Sequence, residues 1–135
     1  MKYAMVIFAL LPAAVAHHSF QAEYDQAKPL TLVGRVTKVV VENPHGWVYL
    51  EVKREDGRTT SWQIETPAPN ALSRSGTGKD ILSELITTGE QVTVSAFAAR
   101  DESKHAWGSA IKRQDGQTVI RLGDNTPGGP GVPRN

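Results

Sequence analysis

The sequence predicts an all-β protein with one short helical connection, folded as a small five- to six-stranded Greek-key barrel of the OB type. Three observations carry that expectation. The order strand, strand, strand, helix, strand, strand fits into roughly a hundred residues, the span of a small barrel of this kind. The first strand, Leu30 to Glu42, is long and rich in β-branched residues. Its alternation slips near Thr37-Lys38, because Leu32, Gly34 and Val36 share one phase while Val39 and Val41 take the other. Such a slip is the mark of a β-bulge, which lets one strand serve two sides of a barrel. A plain antiparallel sandwich built from the same strands is the alternative. The helix between strands three and four and the bulged first strand favour the barrel.

In chain order, Lys2 precedes an apolar run from Tyr3 to Leu11 that ends at Ala14-Val15-Ala16. This is the pattern of a secretory signal peptide, residues 1–16, with cleavage after Ala16. The apolar run is about half the length that a membrane-spanning helix needs. An N-terminal arm, 17–29, leads into the barrel domain, 30–122. Strand two runs from about Gly46 to Arg54, with Val48, Leu50 and Val52 facing the core and Trp47, Tyr49 and Glu51 facing out. Asp56-Gly57 marks a tight turn, and Arg58 to Glu65 returns with Trp62 and Ile64 inward and Gln63 and Glu65 outward.

Pro67 and Pro69 interrupt the sheet, and Asn70 to Arg74 is at most a short helical turn. Asp80 offers an N-cap to Ile81, Leu82, Leu85 and Ile86, which line one helical face until Gly89 stops it. Strand four is expected over Glu90–Arg100 and strand five over His105–Arg113. Asp115-Gly116 turns the chain into a short sixth strand, Gln117–Leu122. Residues 123–135 hold three Pro and four Gly without an apolar run, the composition of a disordered tail.

Composition narrows the function classes. Lys and Arg number 15 against 14 Asp and Glu, so losing Lys2 with the leader leaves 14 against 14. A neutral chain lacks the basic face that nucleic acid requires. Cysteine is absent, which excludes disulfides, thiolate metal sites and a lipid anchor on cysteine. The expected location is therefore periplasmic or extracellular, soluble after cleavage and without a transmembrane segment. No nucleophile elbow or phosphate loop occurs, carboxylates fall mostly on expected outer faces, and no catalytic residue is assigned.

The chemistry that remains is histidine. All 4 lie in the expected mature chain, at positions 17, 18, 45 and 105. Cleavage after Ala16 makes His17 the N-terminus, where a free α-amine and an imidazole can chelate copper or zinc together. An exposed pair with no role is the plainer alternative for His17 and His18. His45 sits in Asn43-Pro44-His45-Gly46, where it either caps the turn or joins a ligand face. In OB-type barrels that face comprises strands two and three with the loops after strands one and four. His45, Trp47, Tyr49 and His105 are the residues placed there. Phe20 and Tyr24 of the arm are expected to dock on Trp47 and Tyr49, carrying His17 and His18 towards His45.

The segments Ala16-His17-His18-Ser19-Phe20, Asn43-Pro44-His45 with Trp47, Pro69-Asn70-Ala71-Leu72 and Gly89-Glu90-Gln91-Val92-Thr93-Val94 resemble a family of small exported bacterial proteins of unknown function. The resemblance covers about Ala16 to Leu122 and implies a periplasmic β-barrel without an assigned activity. Three functions stay open. The first is a non-enzymatic binding module for a small ligand or an envelope protein. The second is a copper- or zinc-binding protein using His17, His18 and His45, as a carrier or a histidine-ligated copper enzyme. The third is a structural partner in a larger envelope complex.

Overall fold

The computed structural model describes residues 20–74 and 79–121. The expected leader, His17 and His18, the stretch 75–78 and the expected tail lie outside the described residues. The elements in order are α1 (Phe20–Glu23), β1 (Tyr24–Val40), β2 (Gly46–Lys53), β3 (Thr59–Thr66), α2 (Pro69–Arg74), α3 (Lys79–Thr88), β4 (Gln91–Ala99), β5 (His105–Arg113) and β6 (Thr118–Arg121).

The strands follow the order β3-β2-β1-β4-β5-β6, and a parallel β3–β5 pairing joins the first strand of that order to the fifth. Every other ladder is antiparallel. This is the five-stranded OB-type closure, with β6 added to the far half of β5. Residues His105–Trp107 of β5 face β3, and Ala110–Lys112 face β6, so one strand closes the barrel and also extends it.

The bulge expected at Thr37-Lys38 is present. Val36 pairs with Leu50 and Lys38 with Tyr49, leaving Thr37 as the extra residue. Gly34 lies just before it, where β1 pairs with both β2 and β4. A Cβ at position 34 would collide with the Glu51 carbonyl oxygen and lie 2.9 Å from its carbon, so glycine permits the close approach of β1 and β2. The interior holds Val36, Val48, Leu50, Ile64, Val92, Val94 and Ile111, none more than 1% exposed. Burying each contributes roughly 1.5–3 kcal/mol. Leu72 of α2 and Leu85 of α3 join the same cluster and cover an end of the barrel. Arg113 of β5 ties α3 down through Glu84 at 2.9 Å, with Glu90 at 3.0 Å on its other nitrogen.

Several expectations need correction. β1 begins at Tyr24, not Leu30, because Tyr24 already pairs with Ala99 before the ladder slips and resumes at Pro29↔Phe97. Asn70–Arg74 is part of a true short helix, so the connection between β3 and β4 holds two helices rather than one. The side chains of Ile81, Leu82 and Ile86 lie outside the described set, whereas Leu85 is fully buried. Trp62 is only half-buried: its ring packs against the core from the inward phase, but Lys104 Nζ sits 5.0 Å from its centroid on the outside. Glu65, placed in the outward and solvated set, is 4% exposed.

Replacing Gly34 with Ala is expected to destabilise the protein by about 1–3 kcal/mol, since backbone rather than a pliable side chain must move. The midpoint of urea unfolding measures it. An unchanged midpoint would mean that β1 and β2 separate there without loss.

Candidate functional site

The site lies on the outer surface of the barrel, where β2, β3, β5 and β4 present one row of side chains. The ladders set Trp47 opposite Glu65, Glu65 beside Trp107, and Trp107 opposite Phe97. One step along, Tyr49 faces Gln63, which neighbours His105. Alternation puts all of these outside, because Val48, Ile64 and Ala106 between them point into the core.

An outward residue is normally wet, yet Trp107 is 3% exposed and Glu65 scarcely more. The cover is the N-terminal segment. Phe20 and Tyr24 stack at 5.6 Å between centroids, and Phe20 meets Trp107 edge-on at 5.8 Å and Phe97 at 5.9 Å. Tyr24 leans on Trp107 at 6.0 Å. With Ala99 these rings form a second small core on the outside of the barrel. Arg100 fastens the segment from below: its backbone N–H donates to the Glu23 carbonyl at 2.8 Å and its Nε to the Gln21 carbonyl at 2.9 Å. The arm therefore docks as expected in kind but on Trp107 and Phe97, not on Trp47 and Tyr49. The parallel β3–β5 pairing is the reason, since it brings Trp107 beside Glu65 at the place the arm crosses.

Under this cover three polar groups join. The Tyr24 hydroxyl donates to Glu65 Oε2, and His45 Nδ1 bonds Glu65 Oε1. A carboxylate only accepts, so Nδ1 carries the proton in this bond, and in the neutral ring Nε2 is the nitrogen with the lone pair. The His45 ring stands edge-on to Trp107 at 5.5 Å and keeps 32% of its side chain exposed. No bond to Nε2 is present among the described residues. Burial and the neighbouring Glu65 carboxylate push the Tyr24 phenol above its usual value of 10.0, which keeps it a donor at every physiological pH.

Of the sequence-derived site residues, the structure brings His45, Trp47 and His105 onto this surface, with His105 tilted against Trp47 at 5.9 Å. Tyr49 shares the surface by register, but Lys38 Nζ lies 5.1 Å from its ring centroid. His17 and His18 lie outside the described residues. Among the described residues no group of three His, Asp or Glu side chains gathers as a metal cluster. Glu65 and Trp107 were not assigned a role from sequence, and Tyr24 was assigned only that of a docking aromatic. The available signal was the odd-numbered phase shared by Trp47, Tyr49, Gln63 and Glu65.

Fold and surface together define a small OB-type barrel whose outer row of aromatics encloses a His–Glu–Tyr chain. The sequence profile of the family of unknown function DUF6152 matches residues 6–108, and the chain belongs to that family. Tyr24, His45 and Glu65, with the aromatic cover of Phe20, Phe97 and Trp107, fall inside the match. No curated protein and no solved structure matches the sequence. No helix among the described residues is long and apolar enough to cross a membrane.

The raised phenol gives a signed pH dependence. Tyr24 stabilises the folded state fully below its ordinary value near 10, and that stabilisation fades as pH rises above it, because only the unfolded chain then loses the proton. Tyr24→Phe should be less stable than wild type by about 1–2 kcal/mol at neutral pH, the worth of a buried hydrogen bond. The gap in urea midpoints should narrow above about pH 10. A gap constant up to about pH 11 would count against the Tyr24–Glu65 bond.

Proposed function

We propose that this protein is an exported, non-enzymatic binding module whose ligand face comprises His45, Trp47, Tyr49 and His105. The observation that supports it is His45 itself. Its ring is fixed by Glu65 on one nitrogen and by Trp107 on one edge, and it is part-exposed with the second nitrogen free of bonds among the described residues. An imidazole serving only as a turn cap has no need of a buried carboxylate behind it. Trp47, opposite Glu65 in the ladder, and His105, tilted against Trp47, add aromatic surface for a small organic ligand or a loop of an envelope protein. Export rests on the leader pattern, and a periplasmic or extracellular location follows from it.

A second reading, a copper- or zinc-binding protein, is favoured by the carboxylate. Metal-ligating histidines commonly donate their other N–H to such a group. Under this reading His45 Nε2 is one donor, and His17 and His18 supply the others. Phe20 touches the Trp107 ring that also touches His45. The chain extends at most about 3.5 Å per residue, so His18 and His17 start within about 7–10 Å of the Phe20 backbone. A carrier needs only this donor set, and a histidine-ligated copper enzyme would need it together with an open coordination position.

Two outcomes test these readings. Periplasmic material should begin at His17 on N-terminal sequencing; an uncleaved Met1 would remove the export reading and the amine donor. Titration of the processed protein with Cu2+ or Zn2+, followed by tryptophan fluorescence and copper absorption, should show binding that His45→Ala weakens by more than about tenfold and His105→Ala leaves nearly unchanged. Equal effects of the two substitutions, or none, would set the metal reading aside and leave the organic-ligand reading.

A further inference from the structure

We propose that the outer face of β2 and β3 takes a neutral saccharide chain, with Trp47 as its stacking platform and the Gln63 amide at its centre. The inference rests on the binding-module reading above and names its ligand class.

The ladders lay out one row across four strands: Lys38 of β1, Tyr49 of β2, Gln63 of β3 and His105 of β5. Trp47 stands two residues along β2 from Tyr49 and is tilted against His105, and Ser61 stands two residues along β3 from Gln63. Closure of the barrel fixes the row, since the Gln63 backbone N–H donates to the Lys104 carbonyl at 2.9 Å where β3 meets β5. Neighbouring strands lie about 4.8 Å apart, close to the width of a pyranose ring, so each strand of the row offers its side chain to a different edge of one or two sugars.

Gln63 carries the argument. An amide side chain donates twice and accepts twice. Among the described residues this one has no hydrogen-bond partner, and neither have the Trp47 indole N–H, the Tyr49 hydroxyl or the Ser61 hydroxyl. Every fully buried side-chain polar atom among the described residues does have a partner, so these groups are open to solvent although Trp47, Tyr49 and Gln63 are half-buried. Aromatic surface set beside unspent amide and hydroxyl groups is the complement of a sugar, which presents an apolar C–H face and a rim of hydroxyls that both donate and accept.

Charge and backbone pairing argue against the other occupants. In OB-type barrels this face takes oligonucleotides or oligosaccharides. A nucleic acid needs several cations for its phosphates. The row has one, and Lys38 Nζ is engaged 5.1 Å from the centroid of the Tyr49 ring, while the next row sets Arg35 opposite Glu51. A peptide adding as a strand needs an unpaired sheet edge, and at Gln63 the edge of β3 is already paired with β5. A saccharide needs neither phosphate cations nor a free edge, only side chains.

The test is nitrogen–proton NMR of the full chain, following the Trp47 indole and Gln63 side-chain amide signals during titration with cellotetraose and with chitotetraose, both uncharged. At least one of them is expected to shift both signals saturably at millimolar concentration. Gln63→Ala should weaken that binding by about five- to tenfold, the worth of one hydrogen-bonding group. Trp47→Ala should weaken it by roughly 10–30-fold, as a central aromatic anchor does. Arg58→Ala, at the hairpin tip, should leave it unchanged. Gln63 reaches solvent, so its replacement keeps the test standing if Trp47→Ala does not fold. Silence of both signals towards both sugars overturns the inference, and so does sugar binding that Gln63→Ala leaves intact. An uncharged tetrapeptide and a short oligothymidylate are then titrated on the same sample. If either moves the Trp47 signal where the sugars do not, the saccharide assignment fails and the binding-module reading stands; if every probe is silent, that reading falls with it.

Discussion

The carboxylate of Glu65 is the group around which the outer surface is arranged. It projects from the outward phase of β3, yet almost no solvent reaches it. A buried charge is destabilising by several kcal/mol unless its lone pairs meet donors, so this side chain dictates what may lie above it. A phenol and an imidazole meet that requirement, one brought by the N-terminal segment and the other by the β1–β2 connection. Neither segment is near β3 in sequence. The carboxylate thus joins three distant stretches of chain at one point, and losing either donor would leave an acceptor bare.

Hydrophobic cover and polar chain depend on one another. Phe20, Tyr24, Phe97, Ala99 and Trp107 bury apolar area outside the barrel, an arrangement that a short arm sustains only if it stays down. Edge-to-face contacts of Phe20 with Trp107 and Phe97 contribute about 0.5–1.5 kcal/mol each beyond the area they cover. The two Arg100 bonds to backbone carbonyls fix the direction of the segment, so that Tyr24 arrives with its hydroxyl over Glu65. Excluding water from the carboxylate strengthens its bonds in return, because electrostatic attraction rises as the local dielectric falls.

The barrel was legible because its determinants are local. The slip at Thr37-Lys38, the turns at Asp56-Gly57 and Asp115-Gly116 and the stop at Gly89 are each decided within a few residues, and those three glycines adopt positive φ as their turns require. The site was legible only at its edges. His45, Trp47 and His105 declared themselves as unusual side chains near strand ends. The burial of Glu65 depends on the β3–β5 register and on an arm about forty residues away, and alternation along β3 carries no trace of either. Tyr24 was read as a docking aromatic, which it is, but the periodicity that marks a ring as apolar says nothing about its hydroxyl. Its actual neighbour, Trp107, became available only through a parallel pairing between strands that are remote in sequence.

Physical economy separates a structural from a functional reading of the same three residues. If the purpose of position 65 were to seat the arm, a leucine or methionine there would pack beneath Phe20 and Tyr24 with no charge to satisfy, and such replacements of buried ionic groups are often neutral or stabilising. A carboxylate does one thing that they cannot, which is to hold the proton of an adjacent imidazole on a chosen nitrogen. His45 is the member of the chain that reaches solvent, with about a third of its side chain exposed. The polarity buried under the arm thus reaches the surface through one side chain, the His45 ring, with the chain of bonds to Glu65 and Tyr24 behind it.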